Sequence, residues 1–198
     1  SLFKYELAVE GGDGAGLESI QYPDVMSWSP NKNNDKLSFD AYNEEDVAGT
    51  SYSYWSMYEM NFGTKKIYNL IPAQPEGISV GNIIYSNTDP DVVAFNVVSD
   101  NGVYDIALAN FETGDLFELG LYNNTINGNN ILDADKPSFS PNDNFMTFAS
   151  VANRSLLFLN GGNLNLTYLQ FQAALYNPYW FLFNGSADVK EEPTYEPL

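Results

Sequence analysis

The chain has 198 residues, 44% of them apolar and 15% aromatic, and carries 26 acidic side chains against eight basic ones, a formal charge of −18. That length and apolar content suit a single globular domain with a sizeable core and exclude a disordered chain. No cations cluster to displace counterions from nucleic acid or an anionic membrane; no apolar run approaches the roughly 20 residues of a membrane span; and with neither cysteine nor histidine there is no disulfide, no thiolate or Ser-His-Asp catalysis and no Cys- or His-held metal.

Phe3 to Val9 alternates strictly, with Phe3, Tyr5, Leu7 and Val9 on one face, and predicts a half-buried strand. Ser1-Leu2-Phe3 reads as a processing boundary, with no signal peptide ahead of it. After a Gly-rich turn at 11–16, Leu17 to Tyr22 starts a second strand. Asp24-Val25-Met26-Ser27-Trp28-Ser29-Pro30 then forms a strand-and-turn phrase, returned by Leu37-Ser38-Phe39 and followed by an expected acidic loop, Asn43-Glu44-Glu45-Asp46. Tyr52 to Met60 is an aromatic-rich strand that turns through Asn61–Lys66 into Ile67–Leu70, and residues 72–75 make a Pro-flanked connector.

The second unit is a looser copy: Ile83–Asn87, a turn at Asp89-Pro90-Asp91, the return strand Val92–Val98, and a hairpin from Val103 to Leu119 around Thr113-Gly114-Asp115. A polar loop, Asn123 to Asn130, leads to the third copy, Asp135 to Ala149, closed by Ser155–Leu159, an Asn-Gly-Gly-Asn turn and Leu164–Leu169. A clipped fourth phrase, Leu175 to Phe183, precedes a polar tail. Anchors at Trp28, Tyr85, Phe139 and Tyr176 recur at intervals of about 57, 54 and 37 residues, each of the first two holding four strand candidates in the same order. A sandwich of unrelated hairpins also yields short alternating strands, but not a recurring order within the unit. The expected fold is therefore an all-β β-propeller of about four four-stranded blades. It is closed by pairing the N- and C-terminal strands into one composite blade, or it is a fragment of a larger ring. Residues 1–184 form the propeller and 185–198 the tail.

The phrase DKPSFSPNDNFMTFAS, followed by a hairpin like YDIALANFETGDLFEL, resembles the WD40-like (PD40) repeat of TolB-type β-propellers. The resemblance covers most of residues 24–184. The family's Asp-Gly turn stands here as Asn142-Asp143-Asn144, and the second copy has Gly81 where the others have Asp24 and Asp135. The repeat is structural and implies binding only by analogy with propellers that serve as interaction platforms.

Asp24 and Asp135 occupy equivalent places before the innermost strand. Their carboxylates suit a cation such as Ca²⁺, or else bond backbone amides of the neighbouring turn. The Asn31–Asp35 and Asp89–Asp91 segments carry oxygens without the spacing of a calcium loop and read as turn chemistry. Tyr52, Tyr54, Trp55 and Tyr58, with Tyr179 and Trp180, are either core filling or a partner- or sugar-stacking surface. No catalytic residue is assigned and no cofactor is required. A sialidase is excluded because its carboxylate clamp needs three arginines and only Arg154 exists. The leading expectation is a non-catalytic, extracytoplasmic binding module for a protein or glycan partner, with no nucleic acid and no membrane insertion. The alternatives are a carboxylate-driven glycan-active domain and a structural surface-protein domain.

Overall fold

The computed structural model describes residues 20, 22–30, 35–47, 49–71, 78–99 and 101–171. Three four-stranded antiparallel sheets follow one another along the chain, each in sequential strand order. Sheet 1 comprises β1 (Tyr22–Trp28), β2 (Lys36–Val47), β3 (Thr50–Asn61) and β4 (Lys66–Ile71). Sheet 2 comprises β5 (Ser79–Tyr85), β6 (Val92–Val98), β7 (Tyr104–Asn110) and β8 (Asp115–Glu118). A 3-10 turn at Leu121–Asn123 and a two-stranded ribbon, β9 (Thr125–Ile126) and β10 (Asn129–Asn130), lead into sheet 3: β11 (Ala134–Phe139), β12 (Phe145–Ser150), β13 (Ser155–Asn160) and β14 (Leu166–Gln170). The expected closing strands at Phe3–Val9, Leu17–Tyr22 (save Ile20 and Tyr22) and Leu175–Phe183, and the tail at 185–198, lie outside the described residues.

The three sheets share a detailed plan. The anchors Trp28, Tyr85 and Phe139 each end the first strand of their sheet. The serine after each anchor, Ser29, Ser86 or Ser140, donates its backbone N–H to the first residue of the return strand, closing the turn alike three times. Each first strand also breaks register against its return strand: between Pro23 and Met26, Gly81 and Ile84, and Asp135 and Ser138. At two of these bulges the backbone is left-handed, Asn82 at φ 53° and Lys136 at φ 55°, and an amide side chain tolerates that conformation with least strain.

The sheets stack face to face, and the core lies in the seams. Met57 of sheet 1 meets Val80, Ile83, Tyr85, Val93, Phe95, Ala107 and Ala109 of sheet 2. On the other side, Ala94 and Ile106 join Phe139, Met146, Phe148, Leu157 and Leu159 of sheet 3. Sheet 2 is buried on both faces, which is why β6 reads as an apolar run interrupted only by Asn96, Val-Val-Ala-Phe-Asn-Val-Val, rather than an alternating one.

Two expectations fail. Asn43 to Asp46 is not a loop; it is the end of β2, paired Asn43↔Tyr54, Glu44↔Ser53, Glu45↔Tyr52 and Asp46↔Ser51. The Ser- and Tyr-rich partner strand favours extension, and Asn43 is 2% exposed because its amide donates to Ala41 O, Ser56 Oγ and Tyr58 Oη. The polar segment 123–130 is also ordered. Asn127 and Gly128, at φ 51° and 81°, make a two-residue turn of the kind that Asn-Gly favours, and Leu121, Ile126 and Ile131 are buried in the seam between sheets 2 and 3. Asp105 holds the segment in place by accepting the N–H groups of Gly120 and Leu121.

A polar hub pins the outer end of the same seam. Asp143, at the tip of the β11–β12 turn, accepts from Ser86 Oγ (2.7 Å), Asn87 N (3.0 Å), Thr88 N (2.9 Å) and Thr88 Oγ1. Partial burial pushes its carboxyl upward, but the bonds from Thr88, Asn87 and Ser86 outweigh this and hold it below the usual carboxylate value. A group so lowered contributes stability above its unfolded value of 3.8, lost as pH falls through the folded one. Asp143→Asn is expected to cost about 1–2 kcal/mol at pH 7, the figure kept low because the site is partly in solvent. The difference from wild type in urea melts should shrink as pH falls below 3.8.

Candidate functional site

The bulges gather the polar residues of the inner strands. Counted four residues back from the anchors, Asp24, Gly81 and Asp135 correspond, as do Asp40, Asn96 and Ala149 on the return strands; Gly81 and Asp135 pair with the last two, while Asp24 lies within its bulge. Asp40 is 3% exposed and spans the first seam: its Oδ1 accepts Val25 N at 2.8 Å and its Oδ2 accepts Asn82 N at 2.5 Å. Gly81 makes room for this, since a Cβ there would stand 2.9 Å from Asp40 Oδ2. Asn96 repeats the device at the second seam, accepting Lys136 N at 3.1 Å and donating to Ala134 O at 2.8 Å. A polar residue flanked by apolar ones at the same place in two return strands, Phe39-Asp40-Ala41 and Phe95-Asn96-Val97, was the sequence signal for this clasp.

Two clefts open beside these clasps. One, of about 350 Å³, lies at the first seam between Asp24 and Asp40 on one side and Gly81, Asn82 and Asn96 on the other, with Trp55 and Tyr104 among its walls. These two aromatics hold the same register position in successive sheets, Trp55 opposite Tyr42 and Tyr104 opposite Val98; the counterpart in sheet 3 is Arg154, just before β13. The other cleft, of about 610 Å³, lies between the first strands of all three sheets, from Asp24 through Asn82 to Lys136. Asp24 lines both. The β2–β3 hairpin stands over the same end: β1 follows it only to Tyr42 and β4 only to Met57, so Asn43–Val47 and Thr50–Ser56 run past both described neighbours.

Electrostatics differ between the seams. Burial pushes Asp40 above its ordinary value, and the charge of Asp24 adds to this against the bonds from Asn82 and Val25. Burial also raises Asp135, but there Lys136 and the Asn82 amide (2.9 Å) work the other way.

The structure separates the expected site residues. Asp24 is exposed and has no hydrogen-bond partner among the described residues, whereas Asp135 accepts Asn82 Nδ2 and Lys136 N, with β5 between the two. They do not form one ligand set, and no group of three or more acidic, His or Cys side chains among the described residues is placed to hold a metal. Trp55 is half-buried, edge-on to Tyr42 at 5.7 Å and 62°, and Tyr54 is half-buried on the overhanging hairpin. Tyr58 is not a surface residue. It is fully buried, stacked on Phe39 at 5.5 Å, with its hydroxyl in the Asn43–Ser56 network, because the face of β3 it occupies is core. The side chain of Tyr52, and residues Tyr179 and Trp180, lie outside the described ones. Asp40, Asn82 and Tyr104 were missed by sequence reasoning.

Repeated four-stranded sheets, stacked in seams with their first strands gathered round a common cleft, match solved structures. The chain superposes on the β-propeller domain of the Trilobed protease from Pyrococcus furiosus at a TM-score of 0.50, with 7% identity over 78% of this chain and 45% of that one. The fold is a β-propeller. Kuenenia stuttgartiensis hydrazine synthase gives a TM-score of 0.50, 12% identity, and coverage of 70% and 40%. TolB from Acinetobacter baumannii gives a looser 0.45, 15% identity, and coverage of 79% and 44%. The propeller thus spans under half the length of each of these chains. No family model and no curated protein matches its sequence. Among the described residues no helix is long and apolar enough to cross a membrane.

Proposed function

We propose that the propeller is a non-catalytic binding module of an extracytoplasmic protein, and that its ligand sits in the cleft at the first seam. One observation carries the reading: Asp24, exposed and without a hydrogen-bond partner among the described residues, faces a 350 Å³ cleft whose walls include Trp55 and Tyr104. A concave site with aromatic walls and a few polar groups is the form that ligand sites take. The glycan-active alternative would use Asp24 and Asp40 as a carboxylate pair, since burial raises the second in the manner of a catalytic acid. Asp40 is unsuited to that role: it is 3% exposed and both its oxygens already accept backbone N–H groups.

The test compares wild type with Asp24→Asn and Tyr104→Ala on a glycan array and in a pull-down from a cell-envelope extract. Retention of a defined ligand by wild type, and its loss from both variants, is expected. Equal retention by all three would remove the cleft from the reading, and turnover of any arrayed glycan would remove the word non-catalytic.

A further inference from the structure

Resting on that reading of the cleft, we infer that the group it takes is an organic cation, an ammonium or guanidinium, held by Asp24 and laid against the aromatic wall. The argument comes from comparing the two seams. Asp135 and Asp24 each stand four residues before the anchor of their strand, Asp135 paired with Ala149 at the edge of its bulge and Asp24 within its own. The chain supplies Asp135 with its own countercharge: the next residue is Lys136, which favours its ionised form, and the amide of Asn82 donates to Oδ1 at 2.9 Å. In sheet 1 the residue after the carboxylate is Val25. No lysine or arginine lines the cleft, and two carboxylates do. Asp40 is 3% exposed, its oxygens are occupied by Val25 N and Asn82 N, and the charge of Asp24 works against its ionisation. A cation bound to Asp24 would do at the first seam what Lys136 does at the second.

The walls point to the same class. An aromatic face attracts an alkylated cation through its quadrupole, most strongly for tryptophan, and Trp55 and Tyr104 both wall the cleft that holds Asp24; their register counterpart in sheet 3 is Arg154. A metal ion would need several oxygen ligands free to converge, and Asp24 is the one carboxylate of the cleft not already taken up by backbone amides. An anionic sugar or peptide would meet two carboxylates with nothing to offset them.

The test titrates the intact chain with agmatine and with the blocked tripeptide Ac-Ala-Arg-Ala-NH2, using Ac-Ala-Glu-Ala-NH2 and N,N′-diacetylchitobiose as comparators, and follows the Trp55 indole N–H resonance and the heat of binding. Both cations are expected to shift that resonance and the acidic peptide to leave it unmoved. Asp24→Asn should weaken binding by roughly tenfold or more, as the loss of a charged hydrogen bond implies, and Tyr104→Ala by roughly threefold or more. Glu112→Gln, an equal change of net charge at an exposed turn, should weaken it less than about twofold, because screening at physiological salt confines such effects to short range. Peptide binding without agmatine binding would assign the cation to a polypeptide partner; agmatine binding alone would assign it to a small amine. Equal weakening by Asp24→Asn and Glu112→Gln would reduce the effect to the overall charge of −18 and overturn the inference. Binding of chitobiose without either cation would overturn the cation while leaving the cleft as a binding site. Silence from all four probes, together with unaltered ligand retention by the Asp24 and Tyr104 variants above, would overturn both.

Discussion

Asp40→Ala is expected to lower the free energy of unfolding by about 2–5 kcal/mol at pH 7, read from urea melts followed by tryptophan fluorescence. The substitution removes the acceptor of two backbone N–H groups, Val25 at 2.8 Å and Asn82 at 2.5 Å, and a buried donor left unpaired costs about 1–3 kcal/mol. Gly81→Ala strikes the same contact from the other side, because the new methyl would stand 2.9 Å from Asp40 Oδ2; overpacking of this kind costs about 1–3 kcal/mol. The two should not add. Once Asp40 is alanine the methyl has no carboxylate to strike, so the double variant should be little worse than Asp40→Ala alone. Strict additivity would mean that the clasp is not what joins the first two blades. The titration adds a signature of its own. Burial, reinforced by Asp24, raises Asp40 in the folded state, so the proton-linked share of its contribution is fully present below the unfolded value of 3.8 and is lost as pH rises through the folded one, leaving the two backbone bonds as what Asp40→Ala removes at pH 7. The clasp therefore changes with pH in the sense opposite to the Asp143 hub.

Phe148→Ala should cost about 3–5 kcal/mol by the same measurement, the range for emptying a buried phenylalanine site. Phe148 is fully buried between the second and third blades, in one cluster with Ile106, Leu121, Ile131 and Phe139. Its surroundings come from three chain segments fixed by their own hydrogen bonds, which limits how far they can collapse into the void. Leu169→Ala is the matched comparison: Leu169 is 54% exposed on an outer strand, and its truncation should fall within about 0.5 kcal/mol of wild type. A Phe148→Ala cost as small as that would mean that the connector carrying Leu121, Ile126 and Ile131 does not seal the seam.

The blade order was legible because its signals are local. Ser-Trp-Ser-Pro and Ser-Phe-Ser-Pro mark a strand and its turn within seven residues, and the apolar run at Val92–Val98, interrupted only by Asn96, announces a buried strand. What escaped was set at long range. Asn43 reads as a loop residue until Ser56 and Tyr58 are brought beside it to receive its amide. Ile126 and Ile131 are isolated apolar residues in an Asn-rich stretch, and only the stacking of two sheets shows that they belong to the core. Tyr58 and Trp55 are near neighbours on one strand of high aromatic content, yet one is fully buried with Phe39, Ala41 and Ile67 and the other lines a cleft, because they lie on opposite faces of β3. Asp24 and Asp135 stand at the same distance before their anchors but do not act together, because β5 runs between them and Lys136 follows one alone.

The seams are fastened separately. Asp40, Ser27 and Glu59 hold the first, through Asn82 N, Tyr85 N and Tyr85 Oη, while Asn96, Asn87 and Asp143 hold the second. Few of these ties share a residue across both boundaries, Asn82 being the chief one that does. Tension drawn along the polypeptide would therefore be borne by one joint at a time, and the molecule would part as successive rigid plates, like a hinged screen, instead of yielding as a single block.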